Sequence, residues 1–184
     1  MFNPGMLGVV SDDDIPWLTC EETRGWVHLV GALMALPPTI DAQLKRDAGL
    51  NFFEYSILAE LSMSPGRTRQ MRLLAQLANG SQSRLSHAVQ RLEKFGWVQR
   101  RACPTENRAV EAVLTDSGMA KVVETAPGHV REVRRTVIDV LSPQELEQLQ
   151  QICRKVLAAT SPQTLDVIDH VPPPSDAQCG SPEA

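Results

Sequence analysis

The stretch SQSRLSHAVQRLEKFGWVQRRACPTENRAVEAVLT, residues 81–115, changes its hydrophobic period once along its length. Leu85, Val89 and Leu92 recur at helical spacing after Ser81, a residue type that commonly caps a helix. Beyond Trp97 apolar and polar residues alternate, so two strands flanking the polar segment CPTENR are predicted to pair as an antiparallel hairpin. The stretch therefore predicts a helix followed directly by a β-hairpin.

A second short helix is predicted just before this stretch, because apolar residues at helical spacing lead up to the turn signal Asn79-Gly80. They are Met71, Leu74, Ala75 and Leu77. Two short helices joined by a tight glycine turn are typical of a helix-turn-helix, and the hairpin makes it a winged helix. The predicted fold class is mainly α with a small β-hairpin wing.

Further helices are predicted on both sides of this unit. Residues 16–47 show a long helical pattern in which Pro37-Pro38 predicts a kink or two helices, and residues 53–61 show another helix. Thr115 is a candidate cap for a helix to about residue 141 that Pro127-Gly128 bends or breaks, and SPQE at 142–145 is a capping box for the last helix. The ends, 1–14 and 161–184, lack a pattern and are predicted to be disordered tails.

Composition places the chain among ordinary globular proteins. It has 184 residues, 42% of them hydrophobic. No apolar run is long enough to span a bilayer and the start lacks a secretory signal pattern, so no membrane association and a cytoplasmic location are expected. The four cysteines are scattered without CxxC or histidine spacing, which argues against a metal site and a disulfide framework. No cofactor motif is present.

Charge is distributed unevenly along the chain. The formal net charge is −4, yet residues 67–108 contain nine basic and two acidic residues, a net of +7. Such a block favours a polyanion as partner, and a solvated basic face is the other interpretation. The basic residues are Arg67, Arg69, Arg72, Arg84, Arg91, Lys94, Arg100, Arg101 and Arg108.

The segments LNFFEYSILAELSMSPG, MRLLAQLANGSQSRLSHAVQRLEKFGWVQR and CPTENRAVEAVLTDSG resemble those of the MarR family of winged-helix transcription regulators. The resemblance covers about residues 17–160. It implies a homodimer formed by helices at about 15–47 and 116–160, with one DNA-binding lobe at about 50–115 in each subunit. It also implies a regulator without enzymatic activity that represses transcription and leaves DNA on binding a small ligand.

Side chains on the free face of the second helix are the candidate contacts to double-stranded DNA. Arg84 can donate two hydrogen bonds to guanine and Gln82 can pair with adenine. Arg67, Arg69 and Arg72 are candidate phosphate contacts. A dimer of this kind is expected to bind an inverted repeat with half-sites about 10 bp apart. The helix candidates are Ser81, Gln82, Ser83, Arg84, Ser86, His87, Gln90 and Arg91.

The wing carries the family's Asp-x-Arg pattern in the altered form Glu106-Asn107-Arg108. The resemblance implies that Arg108 enters the minor groove and that Glu106 orients it. Cys103 stands where the family often has an aspartate.

The resemblance also implies an effector cleft between the dimer helices and the winged helix, for a small, aromatic or anionic molecule. Its candidate lining residues are Trp17, Trp26, His28, Tyr55 and His129. A redox-responsive regulator is an alternative, with Cys103 in an exposed basic neighbourhood and Cys20 as candidate thiols. A winged helix that binds protein, and an enzyme that uses a winged helix only to dimerise, are further alternatives.

Overall fold

The computed structural model describes residues 15–77, 81–104, 106 and 109–169. This part of the chain contains seven α-helices and one three-stranded antiparallel sheet, as the predicted fold class requires. The helices are α1 (Cys20–Ala48), α2 (Phe52–Met63), α3 (Met71–Leu77), α4 (Gln82–Lys94), α5 (Asp116–Val133), α6 (Pro143–Thr160) and α7 (Pro162–Asp169). The strands are β1 (Thr68–Gln70), β2 (Val98–Ala102) and β3 (Val110–Leu114).

The chain divides into two compact units, Met1–Pro37 and Pro38–Ala184. Helix α1 is continuous through Pro37 and Pro38, so the predicted option of two separate helices is wrong. Each proline removes one N–H donor from the helix, which leaves the carbonyl groups of Leu33 and Met34 without their usual partners. Both residues are strongly exposed, so water can bind those carbonyl groups at little cost.

The core of the second unit is built by α2, α4 and the sheet. Ile57, Leu58 and Leu61 of α2 are fully buried, and so are Leu85, Val89 and Leu92 of α4, as the helical spacing predicts. Burial of each such side chain contributes about 1.5–3 kcal/mol. Packing of this stripe on α2 fixes which face of α4 remains in solvent.

The sheet has the strand order β1-β3-β2, so β3 pairs on both sides. Val98 of β2 lies opposite Leu114 of β3, which gives the predicted hairpin, while Thr68 of β1 lies opposite Val113. Strand β1 was not predicted, since three residues are too few to show an alternating pattern. The chain enters it through Gly66 and Arg67, both in the left-handed region with φ of 60° and 53°.

Hydrogen bonds connect the end of the wing to Gly96, which follows α4 and has a φ of 73°. Its carbonyl oxygen accepts hydrogen bonds from the hydroxyl groups of Thr115, at 2.7 Å, and Ser117, at 2.8 Å. The Thr115 hydroxyl also caps α5 by accepting from the N–H of Gly118 at 3.0 Å. Gly118 lies so close to Trp97 that a Cβ atom there would be 2.1 Å from the Trp97 carbonyl oxygen.

The predicted caps Ser81, Thr115 and Ser142 are confirmed, and Asn51 with Glu54 forms a further capping box on α2. In the C-terminal half, helix α5 continues through Pro127, so the predicted option of a break there is wrong. The α-helix ends at Val133 and a π-helical segment follows at Arg134–Ile138, so the helical run ends before the predicted residue 141. The carbonyl that Pro127 leaves without a partner belongs to Val123, an exposed residue that water can reach.

The chain also continues in helical form beyond residue 160, where a disordered tail was expected. Ser161 precedes Pro162, the first residue of α7. Proline at the first helical position favours helix initiation because its φ is already helical and its missing N–H needs no partner there. Packing of α7 against α3 and α6, which no local pattern reveals, stabilises this short helix.

Candidate nucleic-acid interface

Helix α4 presents a polar face to solvent. Since its buried residues are Leu85, Ala88, Val89 and Leu92, a spacing of 100° per residue places a row of four others directly opposite. All four are exposed: Ser83, His87, Gln90 and Lys94. Ser83, His87 and Gln90 were predicted contacts. Lys94 was counted only in the charge block, although a helical wheel centred on the buried residues would have included it.

Arg84 and Arg91 lie on the flank of α4 that faces α2. The guanidinium of Arg84 lies 4.2 Å from the centroid of the Phe53 ring. Arg91 donates to the Glu54 carboxylate at 2.8 Å and to the Gly49 carbonyl at 3.2 Å. The side chain of Glu54 is 3% exposed, so Arg91 provides the charge partner of a buried carboxylate. This contact anchors α4 to α2.

The other flank of α4 faces the wing across a groove of about 560 Å³. Gln82 and Ser86 line it from α4, and Arg100 lines it from β2. Arg100 donates to the Glu93 carboxylate at 2.7 Å and 2.9 Å and reaches the Ser86 hydroxyl at 3.4 Å. The Arg100 guanidinium holds the pKa of Glu93 below its ordinary value. Arg72, from α3, also lines the groove and is exposed.

Most of the basic block is neutralised in the folded chain. Five of its arginines form ion pairs at N–O distances of 2.7–3.0 Å, and only one of the five carboxylates, Glu93, belongs to the block itself. The pairs are Arg67–Asp116, Arg69–Glu60, Arg91–Glu54, Arg100–Glu93 and Arg101–Glu111. Within the described residues, three cations of the block have no carboxylate partner: Arg72, Arg84 and Lys94.

Arg69, one of the predicted phosphate contacts, is bonded to side chains within the protein. Its Nε donates to Glu60 at 3.0 Å and to the Ser64 hydroxyl at 2.8 Å, and its side chain is 24% exposed. Arg67 donates to Asp116 at 2.9 Å and remains more exposed. Arg67, just before β1, and Arg69, within β1, connect this part of the chain to α5 and α2. Ser81 is occupied as the cap of α4, where its hydroxyl accepts from the N–H of Arg84 at 3.1 Å.

Arg108 and Asn107, at the predicted tip of the wing, lie outside the described residues. The carboxylate of Glu106 accepts a hydrogen bond from Nε2 of Gln70 at 2.8 Å. Gln70 is the last residue of β1, so this bond connects β1 to the wing. Gln70 was absent from the predicted site because β1 itself was not predicted.

Cys103 was expected to be exposed, and this is wrong, because its exposed fraction is 9%. Its N–H donates to the Ala109 carbonyl at 2.9 Å, closing the base of the wing. Its thiol lies 3.9 Å from Gln70 Nε2. A hydrogen bond from Arg101 and, to a smaller extent, one with the Cys103 thiol lower the pKa of Glu111. Cys20 is exposed at the first position of α1.

Two of the five candidate effector contacts, Tyr55 of α2 and His129 of α5, lie together. Their ring centroids are 4.6 Å apart. Burial raises the pKa of Tyr55 and lowers that of His129. In the described part of the chain, the buried atoms His129 Nδ1 and Gln43 Oε1 have no hydrogen-bond partner, while Gln43 Nε2 donates to Asp47 at 2.9 Å.

The other three candidates belong to the first unit, where Trp17 and Trp26 are each more than half exposed. His28 Nδ1 lies 2.7 Å from the Arg24 carbonyl. Among the residues that the structure describes, no cluster of histidine, cysteine and carboxylate side chains is arranged to hold a metal ion. No helix in the same ranges is long and apolar enough to cross a bilayer.

The lowered pKa of His129 predicts a pH-dependent stability. The unfolded chain binds this proton near the ordinary pKa of about 6.5, before the folded chain does. The stability contributed by the neutral ring is therefore complete above that pH and is lost as the pH falls toward the lower folded-state pKa. Between about pH 7.5 and pH 5, the free energy of unfolding should fall less in His129→Gln than in the wild type, as measured with urea. His87→Gln, at an exposed position, is the control; equal slopes for His129→Gln and the wild type would contradict the prediction.

The second helix of this helix-turn-helix exposes a polar row, and the wing of the three-stranded sheet lies beside it. These features define a winged-helix protein of the DNA-binding regulator class. Comparison with models of known protein families gives no match. The structure is similar to that of Sco3205 of Streptomyces coelicolor, a MarR family transcriptional regulator solved in complex with DNA. The sequence identity is 43%, the match covers 83% of this chain and 95% of Sco3205, and the TM-score is 0.77. It is also similar to AbsC, a MarR family regulator of the same organism, with 34% identity, 81% and 100% coverage and a TM-score of 0.76.

The sequence is 26% identical over 146 residues to the transcriptional repressor MprA of Escherichia coli K12, which covers 79% of this chain and 80% of the relative. This chain belongs to the MarR family of transcriptional regulators.

Proposed function

We propose that this chain binds a specific double-stranded DNA sequence as a homodimer and represses transcription from it. The observation that carries the proposal is the exposed row Ser83, His87, Gln90 and Lys94 on α4, next to the wing. A helix of this kind enters the major groove, where its polar side chains reach base edges and its later cation meets phosphate. The DNA complex of Sco3205 supports the DNA partner, and the likeness to the repressor MprA supports repression.

Exposed apolar side chains support the homodimer. On α6, Leu149, Ile152 and Val156 are 39%, 56% and 44% exposed and follow one another at helical spacing. In the first unit, Trp26 and Leu33 of α1 are each more than half exposed. Apolar rows of this extent are unusual on a monomer, and burial against a second copy removes them from water. Two recognition helices related by a two-fold axis suit an inverted repeat with half-sites about 10 bp apart.

The test is footprinting of the purified protein on the DNA upstream of its own coding sequence, followed by anisotropy titration of the protected segment. We expect one protected inverted repeat and binding that weakens steeply with salt, as phosphate contacts require. Binding that is indifferent to sequence at every salt concentration, or no binding at all, would contradict the proposal.

Gln90 is expected to read a base. Its position at the centre of the exposed row suits a bidentate contact to adenine, so Gln90→Ala should cost about 1–3 kcal/mol on the operator and relax the preference at one base pair. Lys94→Ala should instead weaken binding to all DNA equally and reduce the salt slope by about 1 per subunit. Anisotropy titrations on operator, single-substituted operators and random DNA separate the two. Gln144→Ala, at an exposed position in α6, is the control, and equal losses on operator and random DNA for Gln90→Ala would rule out base reading.

We further propose that a small molecule bound at Gln43, Tyr55 and His129 releases the protein from DNA. Gln43 Oε1 and His129 Nδ1, which are buried without a partner among the described residues, and the Tyr55 ring beside His129 suit an aromatic molecule that brings a hydrogen-bond donor, such as a phenol. Titration of phenolic compounds into the protein–operator complex tests this. Release that is lost in Gln43→Leu supports the site, and release that persists unchanged in this variant refutes it.

A further inference from the structure

Helix α7 lies against the first helix of the helix-turn-helix. Only Ser161 separates it from α6. Thr164 of α7 contacts α3, and both Thr164 and the neighbouring Leu165 are half-buried. The Thr164 hydroxyl donates to the carbonyl oxygen of Gln76 at 3.4 Å and lies 2.6 Å from the Ser161 hydroxyl. At the far end of α7, Asp169 forms an ion pair with Arg154 of α6. The helix is therefore held at one end to α3 and at the other to α6.

The contact at Gln76 supports α3, which is described over Met71–Leu77. A helix this short depends on packing for its stability. Thr164 supplies a hydrogen bond to α3, and we infer that the half-buried side chain of Leu165 beside it supplies an apolar contact.

Helix α7 also lies beside the beginning of the recognition helix. A groove of about 590 Å³ separates the two, with Ser81 and Gln82 on one side, Gln163 and Thr164 on the other and Arg72 of α3 between them. Movement of α7 would therefore change the support of α3 directly, and the width of the groove beside the first turn of α4.

We propose that α7 is a positioning element that connects α6 to the helix-turn-helix and sets the angle at which α4 meets DNA. The proposal rests on the function proposed above, in which α6 contributes to the dimer contact. In a dimer, α7 then fixes the separation of the two recognition helices, and through it the half-site spacing that the protein accepts. Thr164 and Leu165 act on DNA recognition through α3, without touching DNA themselves.

The experiment uses the full chain with Leu165→Asp, which opposes packing on α3, and the milder Thr164→Val, which removes only the hydroxyl. Thr160→Val is the matched control, since the Thr160 hydroxyl bonds only the Val156 carbonyl of its own helix at 2.8 Å. Each variant is titrated against the operator, against operators with half-sites one base pair closer or farther apart, and against random DNA. Hydrogen exchange at α3 in the protein without DNA gives a readout that does not depend on DNA binding.

For Leu165→Asp we expect about tenfold weaker operator binding, a flattened preference for spacing and faster exchange at α3, with unchanged affinity for random DNA. Thr164→Val should show the same changes to a smaller extent, and Thr160→Val none. Equal weakening on every DNA, or wild-type spacing preference in Leu165→Asp, would overturn the proposal. If Leu165→Asp unfolds, Thr164→Val decides by the same criteria. A wild-type protein that binds no operator contradicts the proposed function instead, and the exchange at α3 then still reports whether α7 holds that helix.

Discussion

Gly118→Ala should lower the free energy of unfolding by about 3 kcal/mol, because the added methyl group has no space. A Cβ atom at this position would lie 2.1 Å from the Trp97 carbonyl oxygen and 2.7 Å from Cδ1 of Leu114. The first of these atoms belongs to the backbone and cannot turn away as a side chain can. The start of α5 would have to move away from β2 and break the bonds of Thr115 and Ser117 to Gly96. Urea unfolding followed by circular dichroism, at one fixed protein concentration, measures the loss.

The control for this prediction is Gly25→Ala in α1. A Cβ atom at Gly25 has no other atom within 4 Å, so the substitution meets no steric barrier. Alanine in a helix interior is more stable than glycine by about 0.5–1 kcal/mol, and a small gain is expected. If the two alanine variants unfold at the same urea concentration, close packing at Gly118 does not limit stability.

Arg91→Ala should destabilise the protein by about 2 kcal/mol, and its main effect should not be on DNA binding. Without the guanidinium, the carboxylate of Glu54 remains buried, and among the described residues only the N-cap amide of Asn51 donates to it, at 3.0 Å. The exposure of half of the Arg91 side chain moderates this cost, since water can approach from that side. At a temperature where the variant is folded, its operator affinity should stay close to that of the wild type. Urea unfolding and anisotropy titration provide the two measurements.

Arg84→Ala is the matched comparison on the same flank of α4. Arg84 contacts only the Phe53 ring in the described structure, and an exposed cation–π contact is worth about 0.5–1 kcal/mol. Its removal should therefore cost less stability than that of Arg91. If Arg91→Ala is as stable as the wild type but binds all DNA more weakly with a lower salt slope, Arg91 is a phosphate contact, as its place on the recognition helix first suggested.

The local signals in the sequence were sufficient for most of the fold. Periodicity located α2, α4 and the hairpin, and the hydroxyl residues Ser81, Thr115 and Ser142 marked the starts of helices, since both signals depend on neighbouring residues only. Strand β1 and helix α7 were missed because each is stabilised by packing against distant segments. Pro127 was expected to bend or break a helix. It does not break α5, because the exposure of Val123 lets water replace the lost bond.

The candidate site could be predicted only in part, because the sequence shows which residues are charged and does not show which carboxylates the fold places beside them. Arg69 and Arg91 belong to a basic block in the sequence, yet each faces a carboxylate from α2 in the fold. The predicted face of α4 included Arg91, which lies on the flank toward α2. It omitted Lys94, although the spacing of Leu85, Val89 and Leu92 already places Lys94 on the opposite side of the helix. Cys103 is buried in contact with Gln70, a residue of the unpredicted strand, so this neighbour was missing from the sequence-based prediction.

The five ion pairs of the basic block bear on how this regulator searches a chromosome. A surface with many unpaired arginines adheres to any DNA, and a genome offers about 10⁶–10⁹ competing sites for each operator. Arginines held by Glu54, Glu60, Glu93, Glu111 and Asp116 contribute little to such adhesion. Under the proposed function, fewer copies of the protein would then be held on bulk DNA, and fewer copies would be needed to keep an operator occupied.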